Sequence, residues 1–126
     1  MTGGAVSGRR RRAWRFGRIA EAVCAGVLRL KGYRILARDV RTPVGEIDIV
    51  AHRGRVLAFV EVKARRSADG TDIIGPRQQH RIVRAAEAFL SRHPSLAGLD
   101  VRFDVMIVQG WTMPTHLTDA WRTGDR

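Results

Sequence analysis

Residues 45–64, GEIDIVAHRGRVLAFVEVKA, decide how this chain is read. Two stretches, Val44–His52 and Arg55–Ala64, flank Arg53-Gly54, and both alternate apolar and polar with the period of a strand. They predict a β-hairpin with Arg53-Gly54 as its turn. Each strand carries charge where a core strand should be apolar: Glu46 and Asp48 in the first, Glu61 and Lys63 in the second. With that turn, His52 pairs with Arg55, Asp48 stands opposite Phe59, and Glu46 stands opposite Glu61. The charged residues then share one side of the sheet, and Asp48 and Glu61 are diagonal neighbours roughly 7–8 Å apart at the backbone. A slip of one residue would put them on opposite faces.

Carboxylates clustered near a core are costly unless something compensates them, and two like charges raise one pKa. A divalent cation removes that cost. Oxygen ligands with water completing the shell suit Mg2+ or Mn2+. Such an ion polarises a phosphoryl oxygen and makes water easier to deprotonate. Lys63, on the same face as Glu61, can orient or deprotonate that water, or stabilise the developing charge. Its identity is informative, because 21 of the 23 basic residues are Arg and only Lys31 and Lys63 are Lys. Lysine changes its pKa on burial, whereas arginine stays protonated. A competing reading places Glu61 and Lys63 on a solvent face as a cross-strand pair of little energetic weight.

Working outward, apolar residues recur at 16, 20, 23, 27 and 30, a helical spacing stopped by Gly32. Tyr33–Val40 reads as a strand and Thr42-Pro43 as a turn. Arg65–Pro76 is a polar loop. Arg77–His93 is a second helix with apolar positions 82, 86 and 89, ended by Pro94. Val101–Val108 alternates as a strand, and Leu117–Trp121 is a last short one. The order, helix, three strands, helix, one or two strands, predicts an α/β or α+β fold: a mixed sheet flanked by helices. Residues 1–15 read as a basic tail, disordered in isolation, and 16–126 as a single domain.

The net charge is +11, and residues 1–41 hold 11 basic and 2 acidic side chains. Such a segment, with the run Arg9, Arg10, Arg11 and Arg12, attracts a polyanion, and nucleic acid is the usual one. A membrane surface would want bulky apolar residues beside the basic run, and Met1–Arg12 lacks them. The apolar run Ala22–Leu28 is too short for a membrane span. The lone cysteine, Cys24, excludes an internal disulfide and reads as a small core residue. A cytoplasmic location is the expectation. The histidines, 52, 80, 93 and 116, show no zinc spacing. Trp14, Trp111 and Trp121 are read as packing in the core or a lid rather than stacking on bases. Asp104 is read as a structural acid paired with Arg102 or a neighbour.

The segment GEIDIVAHRGRVLAFVEVKARRS (45–67) resembles the YraN-like family of small bacterial proteins. It also resembles the PD-(D/E)xK nuclease motif shared with Holliday junction resolvases and restriction endonucleases. The likeness extends to GRIAEA (17–22), Gly32–Leu36, Arg102–Val105 and the helix 76–90, so to most of residues 17–109. It implies a restriction-endonuclease-like core and metal-dependent phosphodiester hydrolysis, with DNA, branched or structured, as substrate. Carried over, Asp48, Glu61 and the Val62 carbonyl would be metal ligands and Lys63 the catalytic lysine. Glu21 would be the helix carboxylate that closes the site, a role that competes with a salt bridge to Arg18. Gln79 would be the matching glutamine of the second helix. Gln78 is a departure, since relatives usually carry Lys-Gln where this chain has Gln78-Gln79. Arg65 and Arg66 would clamp phosphates. Arg77, Arg81 and Arg84 form a stripe that either holds phosphate or is simply a solvated helix face. Nucleases of this fold often pair to cut two strands, so a homodimer is a further expectation. A shared fold does not guarantee activity. The alternative is a catalytically silent, nucleic-acid-binding accessory protein; a basic protein–protein adaptor has only the charge in its favour.

Overall fold

The computed structural model describes residues 3–65, 74–110 and 112–122, with backbone only for residues 3–16 and Arg65. The elements run α1 (Gly3–Leu30), β1 (Arg34–Thr42), β2 (Gly45–Arg53), β3 (Val56–Arg65), α2 (Pro76–Arg92), β4 (Asp100–Gln109) and β5 (Thr115–Trp121). The five strands form one mixed sheet in the order β1-β2-β3-β4-β5, antiparallel except for the parallel β3–β4 pair. The expected fold is therefore present. Helical backbone begins at Gly3, upstream of the Phe16 start that apolar spacing suggests. Arg9–Arg12 thus fall on helical backbone, and their side chains lie outside the described residues.

Two apolar layers explain why β3 sits in the middle. Ala58 and Val60 point to α1 and join Cys24, Ala25, Leu28 and Ile49. Leu57 and Phe59 point the other way and join Ile82, Ala86 and Phe89 of α2. Phe59 is fully buried, edge-on to Phe89 at 5.9 Å and stacked on Phe103 at 5.8 Å. Burying such a side chain contributes about 1.5–3 kcal/mol. A strand covered on both faces has no solvent side, so any charge on it must find partners inside the protein. That constraint makes Glu61 and Lys63 informative, and it disposes of the reading that puts them on a solvent face: Glu61 is buried. Burial pushes the Cys24 thiol up to about 12, as fits an inert core residue. No helix among the described residues is long and apolar enough to cross a membrane.

Candidate active site

The hairpin forms, with a correction to its turn. Arg53 pairs with Val56 and Ile49 with Val60, so the turn residues are Gly54 and Arg55, not Arg53 and Gly54. Gly54 has φ 60, a left-handed conformation that suits glycine at the first turn position. Arg53 stays in the strand, donates to the Lys31 carbonyl at 3.0 Å and lies over the Tyr33 ring. The register differs from the expected one by an even step, so the side chains paired between Ile49 and Arg53 keep their faces. Beyond that ladder the alternation breaks, since Ile49 packs on the α1 side and both Ile47 and Val50 on the α2 side. The expected partners change: Val50, not Asp48, faces Phe59. One rung beyond Ile49↔Val60, Asp48 comes opposite Glu61, where the turn read from sequence made them diagonal.

At that rung the strands part. The β2–β3 ladder ends at Ile49↔Val60, and the Val62 amide donates to Asp48 Oδ2 at 2.8 Å instead. A side chain has entered the place of a backbone carbonyl, which brings Asp48 into the fork. Across the other edge of β2, Asp39 lies between the Arg38↔Ile49 and Val40↔Ile47 pairs and so opposite Asp48. Asp39 adopts φ 51 and is paired with Arg18 at 3.3 Å and Arg41 at 3.6 Å.

Glu61 is 8% exposed. Its Oε1 accepts from Gln78 Nε2 at 3.0 Å and lies 3.4 Å from Lys63 Nζ. Lys63 Nζ also donates to Gln78 Oε1 at 3.2 Å. The charge of Asp48 acts on Glu61 across the fork. Burial, then the neighbouring Asp48 charge, pushes Glu61 up to about 7; Lys63 opposes this without cancelling it. Asp48 is also raised, mainly by burial, against the lowering effect of the Val62 amide. Glu21 is buried on α1 and raised by burial and by the charge of Asp48. Its partner is Arg38, at 3.3 Å, while Arg18 turns to Asp39. The competing Glu21–Arg18 pairing is thus replaced by one from β1.

Asp48 lines two openings. On the α1 side a cavity of about 250 Å3 is lined by Glu21, Asp39, Arg18 and Arg41 among others. On the α2 side a cavity of about 640 Å3 is lined by Glu61, Gln78, Arg77 and Arg81. Gly45 lets these walls approach: a Cβ there would meet the Arg81 carbonyl at 2.9 Å. Arg77, Arg81 and Arg84 are exposed along α2, and the first two line the cavity with the carboxylates. Gln79 does not reach the acids; its amide donates to the Ile74 carbonyl at 2.7 Å. Gln78, which the sequence reading took only as a lost cation, is the glutamine that meets them. The side chains of Arg65 and Arg66 lie outside the described residues.

Among the described residues no group of three or more His, Cys, Asp and Glu forms a ready metal cluster. The oxygens that fit a hard divalent cation are those of Asp48 and Glu61, a pair short of one positive charge, and the Val62 carbonyl. In a strand a residue's N–H and C=O point the same way, so that carbonyl faces the fork with the amide that bonds Asp48.

A second buried acid lies on the α1 side of β4. Asp104 is 0% exposed and accepts from Arg102 Nε at 2.8 Å and Nη2 at 2.7 Å, from His116 Nε2 at 2.8 Å and from the Asp119 amide at 3.0 Å. Burial alone would raise its pKa, but the bonds from His116, Arg102 and Asp119 more than reverse this and hold it below the usual carboxylate range. The structural role and the Arg102 partner expected for Asp104 are present. The sequence reading missed His116, and its distance of twelve positions from Asp104 left no periodic signal. Lys31 Nζ lies 2.9 Å from His116 Nδ1. Trp121 stacks on Phe103 at 5.3 Å, in agreement with a packing role. The side chain of Trp14, and Trp111, lie outside the described residues.

Comparison with known proteins places this site in a family. A family model described as uncharacterised protein family UPF0102 matches residues 20–108, which contain Asp48, Glu61, Lys63, Gln78, Glu21 and the Arg102–Asp104 pair. A UPF0102 protein of Parvibaculum lavamentivorans is 52% identical over 111 residues, covering 87% of this chain and 84% of that protein. One from Paramagnetospirillum magneticum is 49% identical over 115 residues, with 87% and 89% covered. One from Rhodopseudomonas palustris is 52% identical over 110 residues, with 86% and 85% covered. With its fork, its helices and nearly its whole length matched in this way, the chain belongs to the UPF0102, or YraN-like, family.

Proposed function

We propose that this protein is a Mg2+- or Mn2+-dependent nuclease that hydrolyses phosphodiester bonds in DNA. The observation that carries the reading is the fork between β2 and β3, where Asp48, Glu61 and Lys63 converge beside a wall of arginines. A buried carboxylate pair in which both pKa values are raised is a place where a cation can replace a proton. Asp48 and Glu61, with the Val62 carbonyl, would hold the ion, which when bound supplies charge stabilisation at the phosphoryl group and activates water. Lys63 sits 3.4 Å from Glu61 and offers an ammonium or an amine to the attacking water or the developing charge. Arg77 and Arg81 face the same cavity and would position the phosphate backbone. Glu21, on the α1 side, would tune Asp48 by charge.

The test is a cleavage screen on branched, single-stranded and duplex DNA with Mn2+ or Mg2+, comparing wild type with Glu61→Gln and Lys63→Ala. Scission that EDTA abolishes, and that either substitution lowers about 10²–10⁴-fold, is the expected outcome. Salt-sensitive binding without scission, unaffected by EDTA, would assign the chain to the accessory, DNA-binding alternative.

A further inference from the structure

Gln78 closes a ring with the two charged residues of β3. Its amide nitrogen donates to Glu61 Oε1 at 3.0 Å, its carbonyl oxygen accepts from Lys63 Nζ at 3.2 Å, and Lys63 Nζ is 3.4 Å from the same Glu61 oxygen. In this chain the amide meets both charges, a pairing that the lysine usual in relatives at this position would make with Glu61 only. An amide tip offers one donor side and one acceptor side, and this corner needs both. The charges of its neighbours fix which way the amide lies. Gln78 can aim there because α2 is tied down on either side: Gln79 bonds the Ile74 carbonyl just ahead of the helix, and Ile82 is buried one turn later.

We infer that Gln78 is a positioning residue that orients both Glu61 and Lys63. It holds Glu61 by Oε1, on the Lys63 side. The Val62 amide holds Asp48 by Oδ2. The other oxygen of each carboxylate takes no part in these two bonds and would be the one to meet a shared cation. Gln78 also fixes the end of the Lys63 side chain, whose four-carbon stem would otherwise sample several rotamers. Only the catalytic consequence of this inference rests on the nuclease reading; the ordering of Lys63 does not.

The chain has two lysines, so side-chain NMR of the lysine Cε and Nζ groups gives two signals, and Lys31 serves as the internal reference. Wild type, Gln78→Leu and Gln78→Ala are compared without metal. The expected result is a restricted Lys63 in wild type, a mobile Lys63 in both variants, and an unchanged Lys31 signal showing that the fold is intact. In the cleavage assay, kcat should fall about 10- to 100-fold with KM for DNA within about twofold, as for a misplaced catalytic group. Lys63 motion that is the same in all three proteins overturns the inference, and so does an unchanged kcat in an active enzyme. If wild type cuts no DNA, the nuclease reading fails, and the NMR comparison still decides whether Gln78 positions Lys63.

Discussion

Neighbouring strands of one sheet each bury an acid, and they treat it in opposite ways. On β4, Asp104 has a bidentate arginine, a histidine and a backbone amide around it, and its pKa is lowered. On β3, Glu61 has one lysine and one amide, faces a second acid, and is raised to about 7. Both are nearly inaccessible, so burial does not distinguish them. The balance of donors against acceptors does. Asp104 is fully compensated by the chain itself and stitches β4 to β5. The Asp48–Glu61 pair is left short of positive charge at an open cavity, which is the condition under which an ion is taken up.

The largest expected effect comes from breaking the compensated side. Asp104→Ala leaves Arg102, His116 and the Asp119 amide without their shared acceptor, and should cost about 3–5 kcal/mol in urea unfolding. A loss below about 1 kcal/mol would mean that the two acids are not so different.

The next effect is in pH, where the two acids predict opposite slopes. Glu61 is raised from 4.5 to about 7 on folding, so the folded state favours its protonated form. Metal-free stability is then highest below the unfolded value and falls by about 3 kcal/mol as pH climbs through the folded value, flattening above it. Asp104 is lowered, so its contribution is present above the ordinary carboxylate value of 3.8 and is lost as pH drops through its folded value. Together they place the maximum in mildly acidic solution. Glu61→Gln should shrink the decline on the neutral side, leaving what the raised Asp48 and Glu21 contribute, and leave the acid side unchanged. Urea midpoints from pH 3 to 8 check this, and a wild type equally stable at pH 5 and 8 would sink it.

A smaller effect sharpens the geometry. Gly45→Ala puts a methyl group 2.9 Å from the Arg81 carbonyl, which must push the start of β2 away from α2. The expected cost is about 1–2 kcal/mol in thermal unfolding, with a larger proportional loss of metal-dependent cleavage, because Asp48 and Gln78 sit on the two elements forced apart. Loss of stability with full cleavage would show that the cavity wall does not set the site.

Much of the site could be read along the chain because it depends on local alternation. The true turn at Gly54-Arg55 is displaced from the expected one by an even step, so the paired side chains keep their expected faces and Glu61 and Lys63 stay together, while Asp48 lies just past the ladder, where the alternation along β2 breaks. That the register runs toward Asp48 and Glu61 together, rather than on a diagonal, came from which turn position Gly54 takes. Gln79 was expected by likeness to a motif, yet a helix rotates by about 100° per residue, and only the seating of α2 decides which of Gln78 and Gln79 meets β3. Arg38, not Arg18, meets Glu21 for a similar reason: the partner comes from another strand.

Strand period, hairpin, the order of elements and the presence of acids on a core strand are properties of nearest neighbours, so composition and spacing suffice to state them. Which acid is compensated is not a local property. Asp104 receives His116 from twelve positions away, and Glu61 receives Gln78 from seventeen, each carried there by the packing of β5 and α2 against the sheet. Electrostatic balance in a buried site depends on groups within a few ångströms in space, and the folded arrangement alone brings those groups together.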